Sequence, residues 1–374
     1  MSVRPILLAS AVACLTLAAL SLPAEAATRL KVRPDCGAQK ACFTKVQAAL
    51  DAAQADTSDT WVAIDVAAGD YYEKVTVSRP KVRLKGAGAK RTRLHFDAVA
   101  ETAGKYHRRK WGTPGSATLT INADQVTVEG LTVENTFDYL SNDARPAGDP
   151  QKIGNSQAVA VLLDIDSDRV LFRKTAMLGY QDTLFANGRR AVIRDSLIAG
   201  NIDFIFGNGQ LLIEDSELRT RNRGAPTPPG EFHSFLLAPS TPLSQPIGLV
   251  VYRSRLTREA GVPDGAVALA RPWHPTTTFP DGRYADPNAV GQALFIDCVM
   301  DAHIHPDHWT SMGGTARDGS KTAVFHPQDS RFFESGSTGP GAAHRDIGIR
   351  WKDAPDIATV RRQLSDGWPH TKSH

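Results

Sequence analysis

The chain has 374 residues, 41% of them apolar, with 43 Lys and Arg against 40 Asp and Glu. That length can bury a large core. The formal net charge of +3 is only mildly basic: it suits an acidic polymer as substrate and carries no excess that would mark a nucleic-acid binder.

Residues 1–26 read as a secretory signal, with Arg4 at its start, an apolar run over 6–20 and a cleavage site at Ala24-Glu25-Ala26. The run is too short for a membrane span, and no second run of spanning length follows. Cys14 stands in a weak lipoprotein-type context, but apolar sequence continues past it to Leu22, which favours ordinary cleavage. Residues 27–374 are therefore expected to form one exported domain, a monomer with no membrane partner, in the extracellular space or periplasm. In that oxidising compartment Cys36 and Cys42 are predicted to pair across their short loop. Cys298 reads as a buried free thiol.

The elements follow in order. Residues 43–53 have helical spacing, with Val46, Ala49, Leu50 and Ala53 on one face, a short helix suited to capping an open sheet edge. Residues 61–66 read as a strand turned by Ala68-Gly69-Asp70, and 82–84 and 118–121 as further strands. Three Pro- and Gly-rich stretches, 145–154, 221–230 and 275–287, are expected to form loops walling a binding cleft. Residues 336–374 open on turns, and 356–364 are predicted to form a short helix packed on the outside.

A repeat runs through the middle of the chain. Residues 171–177, 192–198 and 212–218 share the order apolar, apolar, polar, polar, small, any, apolar, and 250–256 and 294–300 follow it more loosely. The small residues Thr175, Ser196 and Ser216 step by 21 and 20. The later gaps of 38 and 44, to Ser254 and Cys298, are two steps or one step with an insertion. Short β-rich segments at this period predict stacked coils, an all-β parallel β-helix.

Two aspartates stand out against that register. Asp182 and Asp203 each lie seven residues after a small position, Thr175 and Ser196, and are flanked by Leu184, Phe185, Ile202, Phe204 and Phe206. Carboxylates in such company are costly to bury unless paired or used. Stacking would set them about 5 Å apart. Two carboxyl groups that close titrate apart, giving one acid and one base or nucleophile, as hydrolysis needs. An Asp ladder on a solvated coil edge is the alternative, and the apolar flanks oppose it. Gln181 and Gln157 offer uncharged donors suited to an oxyanion. In extended chain Arg271 and Trp273 project together, one able to hold a carboxylate ionised, the other offering a flat face to a ring. His303, His305 and His308 cluster, but Pro306 breaks metal-ligand spacing, so they are read as solvated loop histidines. There is no Gly-x-Ser-x-Gly elbow and no phosphate-binding glycine loop, and no metal or cofactor is expected.

The stretches 179–185 (GYQDTLF), 200–207 (GNIDFIFG) and 269–273 (LARPW) together resemble the pectin methylesterase (pectinesterase) family, in its bacterial secreted type. Weaker echoes extend the likeness over residues 43–342. The resemblance implies a right-handed single-stranded parallel β-helix and metal-free hydrolysis of methyl-esterified homogalacturonan. It implies Asp203 as nucleophile, Asp182 as proton donor and acceptor, and Gln181 as stabiliser of the intermediate. Thr118, Gln157, Arg271 and Trp273 match substrate-binding positions, with Phe206, Met312 and Arg223 as further candidates. Two departures show: Ser196 and Ser216 stand where many relatives carry a disulfide, and Phe185 replaces a common Tyr. A backbone-cleaving enzyme on the same fold would need other Asp and His motifs or a calcium-binding acidic cluster, and neither is present in the sequence. A non-catalytic wall-binding protein would not need Gln181, Asp182, Asp203 and Arg271 intact.

Overall fold

The computed structural model describes residues 28–349, 351–365 and 368. The expected signal segment and the Cys14 site lie outside the described residues. Each turn of the chain lays one short strand on each of three parallel sheets, of 11, 8 and 7 strands, and successive coils are neighbours in every sheet. The molecule is a parallel β-helix.

The repeat sets the register. Leu171, Val192, Leu212, Val250 and Leu294 lie side by side on successive strands of the longest sheet. The gaps of 38 and 44 are thus single steps carrying insertions. Phe172, Ile193, Ile213, Val251 and Phe295, one residue on, point into the coil interior and are fully buried. The outward row is apolar too, because the helix Ile357–Ser365 covers it with Val360 and Leu364. Strands of a parallel sheet buried on both faces carry such continuous apolar runs. Glu214, buried on that outer side, pairs with Arg194 and with Arg361 of the helix at 2.6 Å.

The polar and small positions of the repeat make the next corner. Lys174, Asp195, Asp215, Arg253 and Asp297 adopt φ between 46° and 53°, a left-handed turn that excludes β-branched residues. The small residue after each is buried beneath the corner. Thr175 N–H donates to Ser196 Oγ at 3.1 Å, Ser196 N–H to Ser216 Oγ at 3.2 Å, and Ser216 N–H to Ser254 Oγ at 3.2 Å. Cys298 continues this ladder, its N–H donating to Ser337 Oγ at 3.2 Å, and is a buried free thiol, pushed up to about 12 by burial.

The helix Val46–Ala55 buries Val46, Ala49, Leu50 and Ala53 over the first coil. Glu73 accepts the N–H groups of Val46 and Gln47 at 2.9 and 3.1 Å, satisfying donors that the helix start leaves open. Cys36 and Cys42 are bonded. Two expectations are corrected. Of residues 68–70, read as a turn, Gly69 and Asp70 open the strand Gly69–Tyr72, because Tyr71 pairs with Leu94 and is buried. Residues 275–287, read as a loop, contain an antiparallel hairpin of Thr276–Phe279 with Gly282–Ala285. Among the described residues no helix is long and apolar enough to cross a membrane.

The serine ladder predicts that an S196C/S216C double variant forms a disulfide, since one strand spacing, about 4.8 Å, suits its geometry. Closing that loop should stabilise the fold by about 3 kcal/mol. The check is the thermal midpoint with and without reductant; equal midpoints with the disulfide present would refute it.

Candidate active site

Asp182 and Asp203 both precede strands of the third sheet, Leu184–Ala186 and Ile205–Gly207. Those strands pair Leu184 with Ile205 and Phe185 with Phe206, so the two aspartates occupy one position on adjacent coils. Both are left-handed, at φ 64° and 49°, a conformation that needs support in a non-glycine residue. The support is backbone bonding from one turn to the next: Asp182 N–H reaches the Ile202 carbonyl at 3.0 Å, and Leu184 N–H the Phe204 carbonyl at 2.8 Å. Asn201, fully buried, locks the same turn. Its Oδ1 accepts from Ile202 N–H at 2.7 Å and its Nδ2 donates to the Asn222 carbonyl at 3.1 Å. Gly200 has no room for a side chain, since a Cβ there would lie 2.3 Å from that of Phe204.

The two carboxyl groups differ in their partners. Arg271 Nε and Nη2 donate to Asp203 Oδ1 and Oδ2 at 2.7 and 2.6 Å. Arg271 follows the strand Val267–Ala270, two places along the third sheet from the strand that Asp203 introduces. It crosses the intervening coil with its guanidinium 3.7 Å from the centre of the Phe235 ring. Asp182 is one coil further away, and among the described residues no cation lies within ion-pair distance of it. Burial first, and then the charge of Asp203, hold the Asp182 carboxyl well above the usual carboxylate range; Arg271 draws it back only in part. The pair thus presents one aspartate bound to a guanidinium beside one whose carboxyl holds its proton more tightly.

Gln181 lies beside them. Its Oε1 accepts from the Ser156 hydroxyl at 2.9 Å, which leaves the amide nitrogen as a donor. Ala158 N–H donates to the Gln181 carbonyl at 3.2 Å, bringing half-buried Gln157 alongside. Phe185 and Phe206 stack outward at 4.2 Å, and Trp273 lies edge-on to Phe206 at 5.6 Å. Phe206 is buried and forms the floor beneath Trp273 rather than an exposed wall. A cleft of about 600 Å³ opens here, bordered by Gln181, Arg271, Phe235 and Arg223. Arg223 is bound to Asp143 through two contacts of 2.9 Å, tying the 221–230 loop to the helix Tyr139–Asp143.

Other sequence candidates lie elsewhere. Thr118 is fully buried and its hydroxyl donates to the Glu134 carbonyl at 3.0 Å, so its side chain does not reach the cleft. Met312 is half-buried on a separate hairpin, paired with Phe325. The histidine segment is not a solvated loop. His303 and His308 are buried, because residues 304 and 309 bridge to Val267 and Ala270 and extend the third sheet. Burial pushes His303 down to about 4.

Several residues had no local signal. Tyr139 stacks on Tyr180 at 5.2 Å, and Arg221 covers Tyr180 from 3.9 Å. Trp111, partly exposed, meets the edge of Phe185 at 5.5 Å. All are placed by contacts across distant segments.

A family model described as Pectinesterase matches residues 35–357. The chain belongs to the pectinesterase family. Pectinesterase A of Dickeya chrysanthemi is 40% identical over 315 residues, spanning 84% of this chain and 81% of that protein. A crystal structure of a pectin methylesterase in complex with a hexasaccharide matches with a TM-score of 0.82 at 37% identity, covering 92% of this chain and 98% of that one. A pectin methylesterase from Yersinia enterocolitica matches at 0.76 and 41%, covering 86% and 96%. This pectinesterase is therefore an enzyme, and its fold is shared with solved pectin methylesterases.

The buried acid has a stability consequence. A carboxyl whose folded pKa is raised contributes stability below its unfolded pKa and loses it as pH rises through the folded value. Asp182→Asn removes that loss. Its thermal midpoint should exceed the parent's by about 1–3 °C at pH 8 and by less at pH 4. An equal or lower midpoint at pH 8 would show that Asp182 carries no such burden.

Proposed function

We propose that this pectinesterase hydrolyses the methyl esters of homogalacturonan, releasing methanol and leaving pectate, with Asp203 as nucleophile and Asp182 as acid and base. The observation that carries this reading is the asymmetry of the stacked pair: one aspartate held by Arg271, its neighbour held protonated.

In the first half-reaction an Asp203 oxygen attacks the C6 carbonyl of a methyl galacturonate. The oxyanion takes hydrogen bonds from the Gln181 amide and from Gln157. As the tetrahedral intermediate collapses, the Asp182 proton passes to the departing methoxide, and methanol leaves. The acyl-enzyme is an anhydride with Asp203. Asp182, now a carboxylate, takes a proton from water as that water attacks the anhydride. The product carboxyl and the free Asp203 carboxylate result, the product loses the remaining water proton to solvent as galacturonate, and Asp182 is again an acid. Trp273, above the aromatic floor, supplies a flat face for a sugar ring, and Arg223 borders the cleft opposite. Arg271 holds Asp203 through Nε and Nη2, so its charge serves the nucleophile first. The same reading takes the mature protein as residues 27–374, exported to where an acidic wall polymer is met.

Asp203→Asn is nearly isosteric and a poor nucleophile, so a folded variant should lose at least about 10³-fold in methanol release from esterified pectin. Near-parental release, with deamidation excluded, would sink the assignment. Methanol release without shortening of the polymer separates the reaction from backbone cleavage.

Arg271→Ala and Trp273→Ala should divide chemistry from binding. The first should cut kcat by about 100-fold and move the alkaline limb of the pH profile upward, because the one group drawing the Asp182 proton affinity down is gone. The second should raise KM about tenfold, by about 1.4 kcal/mol, with kcat little changed. If Arg271→Ala alters KM alone and leaves the alkaline limb unmoved, Arg271 does not tune the pair.

A further inference from the structure

At the far end of the coil stack His308, Glu334 and His344 each offer a ligand atom, all within 4.8 Å of one another. They come from three separate segments: the stretch after the third sheet's last strand, the terminal strand Arg331–Ser335, and the tail that follows. None belongs to the catalytic cleft. We infer that these three residues form a binding site for one zinc-type divalent ion, which clamps the tail to the last coil.

Two of the three ligands are already oriented for an ion by the turn that joins strand to tail. A ring nitrogen facing a carbonyl oxygen must be the protonated one, and His308 Nε2 lies 3.0 Å from the Gly341 carbonyl. The lone pair is therefore on Nδ1. Metal-binding histidines are commonly held in this way, one N–H on a backbone carbonyl and the other nitrogen on the ion. Glu334 Oε1 accepts from Ser337 N–H at 3.1 Å, which fixes that carboxylate and leaves Oε2 toward the histidines. His344 Nδ1 lies 3.9 Å from Glu334 Oε2. That is too long for a hydrogen bond, yet near the roughly 3.4 Å that separates two ligands of a tetrahedral ion with bonds of about 2.1 Å. The two imidazole rings are 5.1 Å apart between centres. His344 is the half-exposed member, its side chain 55% accessible, so it is the one free to swing in and close the site.

The donor set selects the ion. Two imidazoles and one carboxylate suit zinc and its neighbours, whereas calcium takes six to eight oxygens. A cavity of about 470 Å³ bordered by His308, Glu334 and His344 leaves space for water to complete the coordination. The effect of an ion here is structural. The carbonyl of His308 accepts Leu269 N–H at 2.6 Å, and Thr310 N–H donates to the Ala270 carbonyl at 3.2 Å, so the clamp secures the outermost coil. The reaction proposed above uses none of these three residues.

The test is calorimetric titration of zinc into chelator-treated, tag-free protein, with thermal unfolding in parallel. One ion per chain should bind with a micromolar Kd, and zinc at about 100 times Kd should raise the midpoint by several degrees. Calcium should do neither. His344→Ala and Glu334→Gln should weaken zinc binding at least tenfold, whereas a double variant of the tail histidines, H370A/H374A, should retain it. No binding below about 100 µM, unchanged binding in both site variants, or loss in the tail variant would overturn the site. Methanol release after chelation should stay within about twofold of the untreated enzyme, and that readout separates failure of the metal site from failure of the esterase mechanism.

Discussion

Stacking at a single strand spacing is the constraint from which the catalytic arrangement follows. A parallel β-helix repeats the same position every coil, about 4.8 Å apart, and so brings Asp182 and Asp203 together without either needing to reach. Like charges at that distance cannot both be comfortable. What breaks the symmetry is the distance along the stack to Arg271, two coils from Asp203 and three from Asp182. A guanidinium laid across Phe235 reaches the nearer carboxylate with two of its donors. Two chemically identical groups acquire different roles from their order in a one-dimensional array.

Such an array also bears the cost. Two left-handed aspartates, a buried acid and a glycine with no room for a methyl group sit within one short segment. Each is a local liability. They persist because the rest of the stack over-determines the turn. The flanking strands are hydrogen-bonded on both sides, Asn201 is locked at both ends of its amide, and Phe204 fills the interior beneath. The same left-handed turn recurs at other corners of the stack, and at each the regular packing around it bears the cost.

The cleft, unlike the pair, is not a product of repetition. Insertions make it: the 221–233 stretch that carries Arg223, the helix Tyr139–Asp143 that receives it, and the segment after Val267–Ala270 that carries Trp273. A solenoid tolerates such insertions because each leaves and rejoins a coil whose own strands stay paired. The repeat supplies position and the interruptions supply shape.

The division between what sequence and tertiary structure each decide follows from this. Paired apolar residues, a period of 20 to 21 and a small residue at a fixed place in each repeat were enough to predict coils, their register and the equivalence of Asp182 and Asp203. Those are local and periodic properties, and stacking only repeats them. The family motifs marked Gln181, Arg271 and Trp273 for the same reason: each motif is contiguous. The pairing of Arg271 with Asp203 followed from the motifs too, but only the folded chain showed that it spans an intervening coil across Phe235. Only the fold buried Thr118 and the histidines 303 and 308, turned residues 69–72 into a strand, and joined Arg223 to Asp143. These outcomes rest on contacts between segments tens of residues apart, where no local pattern marks the partner and burial is settled by what the neighbouring coil presents.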